Sequence, residues 1–189
     1  MRSTILRYGG IAASIILIAF GIGTVVVGID GRDTVRSNLA AEQIVGTPDS
    51  SIPGQKVDTG TEARAFAKVM RKHTLEATGG QTYAQMDRFL DADGKPTSDE
   101  KAAAKDPKTG APVENGARNI WVTSTALSTA LNTAYFAENV AMFSIVMGIA
   151  MLLVGIGFLV LTGSALRGPV ADKATAAKPT ATGSPALTS

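Results

Sequence analysis

The stretch Asn139–Leu166, NVAMFSIVMGIAMLLVGIGFLVLTGSAL, contains no charged side chain and exceeds the roughly 20 residues that a helix needs to cross a bilayer. A charge at the bilayer centre costs roughly 2.5–3.5 kcal/mol on insertion scales, so an uncharged run this long, rich in Leu, Ile, Val, Met and Phe, predicts a transmembrane helix. A second run, Tyr8–Ile29, YGGIAASIILIAFGIGTVVVGI, is also uncharged. As a helix it would measure about 33 Å, close to the hydrocarbon thickness. Its basic start and the small-x-small site Gly21-Ile22-Gly23 also fit a cleaved signal peptide. The apolar run continues past that site through Thr24-Val25-Val26-Val27, which favours an uncleaved anchor.

These two runs divide the chain into a cytoplasmic lead (1–7), a first transmembrane helix (8–29), an extracytoplasmic helical domain (30–138), a second transmembrane helix (139–166) and a disordered cytoplasmic tail (167–189). The expected fold class is an all-α membrane protein: an antiparallel two-helix transmembrane hairpin with a small helical extracytoplasmic domain. Charge sets the orientation. Residues 30–138 hold 13 Lys and Arg against 15 Asp and Glu, while the two ends hold 5 against 1. Arg2 and Arg7 before the first run, and Arg167, Lys173 and Lys178 after the second, place both termini in the cytoplasm of a cell membrane by the positive-inside rule. Basic character sits at the ends and not in a nucleic-acid-binding patch, so no nucleic-acid partner is expected. The chain has no cysteine, which removes disulfides, thiolate nucleophiles and Cys-based metal sites, so an exported domain must hold itself by packing.

Within the middle segment, Gly31–Val45 is expected to carry the first helix outward until Gly46-Thr47-Pro48 stops it. Ser50–Gly60 is a Pro-, Gly- and Ser-rich loop. Thr61-Glu62 opens a helix that ends at Gly79-Gly80, with Phe66, Met70, His73 and Ala77 on one face and Arg64, Lys68, Arg71 and Lys72 on its other sides. That pattern suits a surface helix packed on a domain core. A helix lying on anionic lipid is the alternative, against which Glu62 and Glu76 weigh. Thr82–Leu90 reads as a further short helix with Tyr83, Met86 and Leu90 on one side, and Lys101–Asn115 as a mobile surface loop. From about Gly116 nothing breaks a helix before the membrane, so one helix of about 50 residues is expected. It places Tyr135 and Phe136 in an interfacial aromatic belt and Trp121 in the outer core.

The chemistry-bearing residues are sparse. His73 is the only histidine, which excludes two-His iron and His-cluster zinc sites from this chain alone and leaves any Ser–His device without an evident orienting partner. Asp91–Glu100, DADGKPTSDE, has the vocabulary of a calcium loop. With Gly94 at its sixth position, Asp91, Asp93 and Glu100 fall at the third, fifth and twelfth, but Phe89 falls where the first ligand belongs, so a polar turn is expected. Neither a GxGxxG nor a phosphate loop occurs. No catalytic, cofactor-binding or metal-ligating residue is assigned, no cofactor is implied, and the chain is not expected to be an enzyme.

Both apolar runs carry a stripe of small residues. In the first, Gly10, Ser14, Leu17, Gly21, Thr24 and Gly28 alternate spacings of four and three, and in the second Ala141, Ser144, Gly148, Met151, Gly155, Phe158 and Thr162 do the same. This is the 3.5-residue period of a left-handed helix pair, and small residues are what let helices approach in lipid. The expected packing seam is therefore Gly10, Ser14, Gly21 and Gly28 against Ala141, Ser144, Gly148 and Gly155. Chain reversal sets Gly21 to Gly28 against Ala141 to Gly148. The same stripe also suits self-association.

The segments RYGGIAASIILIAFGIGTVVVGIDGRDTV, AEQIVGTPD, FLDADGKPT and ARNIWVTSTALSTALNTAYFAENVAMFSIVMGIAMLLVGIGFLVLTG resemble a group of small two-span actinobacterial membrane proteins of unassigned function. Some similar sequences carry the name of an aromatic-ring-opening dioxygenase, whose metal site a single histidine does not supply. The resemblance implies topology rather than activity. The expected function is that of a structural or accessory integral membrane protein acting through helix packing and protein–protein interaction. Its partners would be the bilayer and a membrane protein or further copies of itself. A membrane sensor or ligand-binding module is the alternative.

Overall fold

The computed structural model describes residues 2–166, so the tail expected to be disordered lies outside the described residues. The elements are α1 (Arg2–Ala41), α2 (Gly60–Ala77), β1 (Phe89–Leu90), β2 (Pro96–Thr97) and α3 (Gly116–Leu166). The chain is mostly helical, and α1 and α3 are each long and apolar enough to cross a membrane. Only 11% of each apolar window is buried within the chain, whereas the core helix of a soluble domain would be enclosed.

α1 runs on past the end of its apolar run and α3 begins well before its own, because no proline interrupts either. α1 continues through the charged stretch Asp30–Arg36 and ends at Ala41, earlier than the expected Val45. Gln43 there takes a left-handed φ of 53°, turning the chain into a closed loop. That loop is tied by Val57 N–H to Ile44 O (2.9 Å) and Gly46 N–H to Gln55 O (2.8 Å). A Cβ on Gly46 would overlap the carbonyl oxygen of Ile52, so only glycine lets the loop fold back on itself. Val57 carries the loop into the core, where it meets Leu39 of α1, Ala63 and Ala67 of α2 and Leu131 of α3.

α2 starts from a capping box. Thr59 Oγ1 accepts the Glu62 amide, and Glu62 Oε2 accepts the amides of Thr59 and Asp58 (3.0 Å each). Its most buried line is Gly60, Ala63, Ala67 and Thr74, whereas Ala77 of the expected face is exposed. Small residues win the contact because they let α2 lie close along α3. Gly60 abuts Tyr135, Thr74 Oγ1 bonds Ser124 Oγ, and Thr78 meets Trp121. α2 therefore stands alongside the N-terminal part of α3 and points away from the apolar segments, packed on a core as expected of a surface helix.

The helix expected over Thr82–Leu90 is absent. Phe89–Leu90 instead pairs antiparallel with Pro96–Thr97, because Asp91 Oδ1 accepts the amides of Asp93 (2.9 Å) and Lys95 (2.8 Å) and Gly94 takes a φ of 76°, closing a tight hairpin. The stretch expected as a mobile loop, 101–115, is stitched to this ribbon by Ala104 N–H to Leu90 O, Leu90 N–H to Val113 O and Asn115 N–H to Arg88 O. Of the expected aromatic belt, Phe136 is exposed, but Tyr135 turns towards α2 beneath the Arg64 guanidinium at 4.7 Å.

Candidate functional site

Two glycine populations separate along α1 and α3. At Gly9, Gly23, Gly157 and Gly163 an added Cβ would meet nothing within 4 Å. At Gly21 it would lie 2.8 Å from the Gly148 oxygen, at Gly148 2.7 Å from the Gly21 oxygen, and at Gly28 2.8 Å from the Ala141 oxygen. Gly155 would meet the Ser14 oxygen at 3.1 Å, and Gly10 would meet the Thr162 side chain at 2.9 Å. α1 and α3 therefore run in opposite directions with their backbones touching. Ser14, Gly21 and Gly28 are buried at seven-residue intervals on α1, and Ala141, Gly148 and Gly155 on α3. Ser14 turns its hydroxyl onto its own helix at Gly10 O (2.7 Å), so a polar side chain is enclosed without an unmet hydrogen bond. Ser144 is half-buried and bonds Val140 O at 3.0 Å, off the line of closest approach. Phe158 is half exposed, and beyond Gly155 the contact passes to Thr162.

These distances lead to a crosslinking prediction. The ideal Cβ of Gly31 lies 3.8 Å from Ala141 Cβ, and that of Gly10 lies 3.8 Å from Thr162 Cβ. Disulfides average about 3.8 Å between Cβ atoms. In this cysteine-free chain, Gly31→Cys with Ala141→Cys and Gly10→Cys with Thr162→Cys should each oxidise to an intrachain disulfide, seen as a fast-migrating monomer on a non-reducing gel. Gly23→Cys with Ile149→Cys should not. Bands only at the dimer position would assign the contact to two chains.

Above the seam the three helices meet at Glu138, a residue not singled out from the sequence although it is the only charged side chain between Arg118 and Arg167. Its Oε1 accepts from Arg36 Nε (2.7 Å) and Arg32 Nε (3.3 Å) of α1, and its Oε2 accepts the Gly60 amide (2.6 Å) at the start of α2. Burial by itself would raise the Glu138 pKa. The Arg36 hydrogen bond, the Gly60 amide, the Arg36 charge and the Arg32 hydrogen bond outweigh it and hold the carboxyl below its ordinary value. Gly60 is needed for this approach, because a Cβ there would lie 2.7 Å from Tyr135 Cα. The carboxylate also faces the positive end of the α2 dipole.

His73 does have an acidic neighbour. Asp49 Oδ2 lies 2.9 Å from His73 Nε2 and 2.8 Å from Lys72 Nζ, while Thr47 Oγ1 donates to Oδ1 at 2.8 Å. The Lys72 hydrogen bond, then those of His73 and Thr47, hold the Asp49 carboxyl well below the carboxylate range. This cluster is exposed and ties the 42–59 loop to α2. Trp121 is buried, its indole N–H donating to Gln81 O at 2.8 Å.

The α2–α3 contact leaves a groove on each flank. One, of about 610 Å³, is apolar and open, with Met70 and Ala77 on one wall and Ile120 and Leu127 on the other. The second, of about 340 Å³, has Arg64, Lys68 and Arg71 on its α2 wall, hydroxyl and amide side chains on its α3 wall and Trp121 between them. Among the described residues no group of three or more His, Asp or Glu side chains is placed to hold a metal ion. No family model, curated protein or solved structure matches the chain.

Proposed function

We propose that the chain is a structural or accessory integral membrane protein with two spans, both termini in the cytoplasm, and an extracytoplasmic helical domain held at a fixed height above the bilayer. The observation that carries the reading is the backbone contact along the α1–α3 seam. Association in lipid depends on close packing rather than hydrophobic drive, and here the inward glycines are already engaged within one chain. The spans then form a rigid mount, and Glu138 joins it to α2. Protein–protein contact falls to the apolar groove on the outer domain, where Ile120 and Leu127 are 46% and 41% exposed. A membrane protein bearing a complementary helix is the partner this groove suits. The resemblance to small two-span membrane proteins points the same way.

A photo-crosslinking residue at Ile120 or Leu127, activated in native membranes, should capture one defined protein or a second copy of the chain. The same residue at Lys108, on the outer ribbon, should capture far less. Equal, unsaturable capture at all three positions would overturn the reading.

A further inference from the structure

We infer that the groove between α2 and α3 on the Trp121 flank is a binding site for an extended anion carrying more than one phosphate group. Arg64, Lys68 and Arg71 follow one another at i, i+4 and i+7 along α2, which stacks them at rises of about 6 and 4.5 Å. Among the described residues none of the three has a carboxylate within 4 Å; the ion pairs present belong to Arg32, Arg36, Lys72 and His73. The acids of α2 are committed elsewhere, Glu62 to its capping box and Glu76 to Lys72. The opposite wall is polar but uncharged, with Thr125, Ser128, Thr129 and Asn132. On α3 the only acid is Glu138, which Arg32, Arg36 and the Gly60 amide already occupy.

Three cations without a carboxylate partner among the described residues, two of them resting on aromatic rings, thus line a 340 Å³ groove within a segment whose acids outnumber its bases. Guanidinium and ammonium donors on one side and hydroxyl and amide donors on the other are the chemistry that phosphate oxygens satisfy. The vertical stacking favours several charges over one. Arg64 lies against Tyr135, about 6 Å above Asn139 if the span begins there, which is within the headgroup layer. Lys68 and Arg71 stand higher. The ligand is accordingly either a lipid with a long, multiply phosphorylated or anionic headgroup or a free polyphosphate-like anion.

Trp121 is the only tryptophan, and the Arg71 guanidinium sits 5.3 Å from its ring, so indole emission reports on the groove. The test uses the full chain in nanodiscs. In phosphatidylcholine discs, inorganic tripolyphosphate should shift the emission saturably, and the midpoint should rise about tenfold or more in Lys68→Gln, whose side chain does not stack on the indole, and with added salt. Arg88→Gln, on the outer ribbon, should leave the midpoint unchanged. That result assigns a free anion. A shift absent with tripolyphosphate but present in cardiolipin-containing discs, and lost in Lys68→Gln, assigns a lipid headgroup. No saturable shift with either probe, or a shift undiminished in the Arg64→Gln/Lys68→Gln double variant, overturns the inference. Circular dichroism of each variant separates loss of binding from loss of fold. The docking groove lies on the other flank, so failure here leaves the proposed function standing.

Discussion

Gly148→Leu will separate α1 from α3. An added Cβ alone would meet the Gly21 oxygen and Val25 Cγ2 at 2.7 Å, and the leucine branches beyond it have nowhere to go. Overpacking a tight contact costs about 1–3 kcal/mol where side chains can shift. Here the obstacle is backbone, so the helices must part along the whole seam. The measurement is the Gly10→Cys/Thr162→Cys disulfide, which should fall from near-complete to a minor product. Even Gly21→Ala should weaken it, since the Gly148 oxygen would be 2.8 Å from the new methyl. Gly23→Ala is the control: its Cβ meets nothing within 4 Å, and the disulfide should form as before. Intact crosslinking in Gly148→Leu would mean that the backbones do not touch.

Glu138→Ala will undock the start of α2 from the α1–α3 pair. The carboxylate is 13% exposed, and its removal leaves Arg36, Arg32 and the Gly60 amide without their shared acceptor. Breaking a buried pair by deleting one partner costs about 3–5 kcal/mol; the partial exposure of both arginines puts this site near the lower end. The thermal midpoint in detergent should fall by several degrees, and Glu138→Gln by less, since the amide still accepts from Arg36. The pH dependence has a definite sign. The folded Glu138 carboxyl lies below its unfolded value of about 4.3, so its contribution is fully present above that pH and is lost as pH falls through the folded value. The wild-type midpoint should therefore hold down to about pH 5 and drop below about pH 4. Glu138→Gln should flatten part of that drop; the remainder belongs to the other lowered carboxyls, Asp49 among them. An identical acid profile in both proteins would remove Glu138 from the account.

The helical layout was legible because its causes are local. Uncharged runs, the absence of proline and the seven-residue spacing of Ser14, Gly21 and Gly28 are visible in a short window, and the structure buries those same three residues. Of the expected α2 face, Phe66 and Met70 do pack, half-buried, against the core, but the closest approach to α3 belongs to Gly60, Ala63 and Ala67, whose small size a hydrophobicity pattern does not score. Thr82–Leu90 has a helical stripe by spacing, yet the Asp91 turn and the Leu90–Val113 and Asn115–Arg88 backbone bonds prevail. The junction was hidden for a different reason. Glu138 pairs across 106, 102 and 78 residues to Arg32, Arg36 and Gly60, and such pairs leave no periodic trace. The isolation of Glu138 within an uncharged stretch was its one available signal. His73 and Asp49, 24 residues apart, were likewise joined only by the closure of the 42–59 loop.

The distance along the chain between the touching glycines also sets a schedule. Gly21 leaves the ribosome long before Gly148 exists, and at about 5–20 residues per second the gap is roughly 6–25 seconds. Throughout that interval the small-residue face of α1 has no native partner, and another nascent α1 is as good a match for it as lipid. Crowded synthesis therefore favours mispaired newborn chains, whereas slow initiation favours each chain waiting for its own α3. The core between the long helices cannot close before Leu131 is made, and Glu138 follows only seven residues later, so the core and the junction that joins α2 to α1 come together at the very end of the wait.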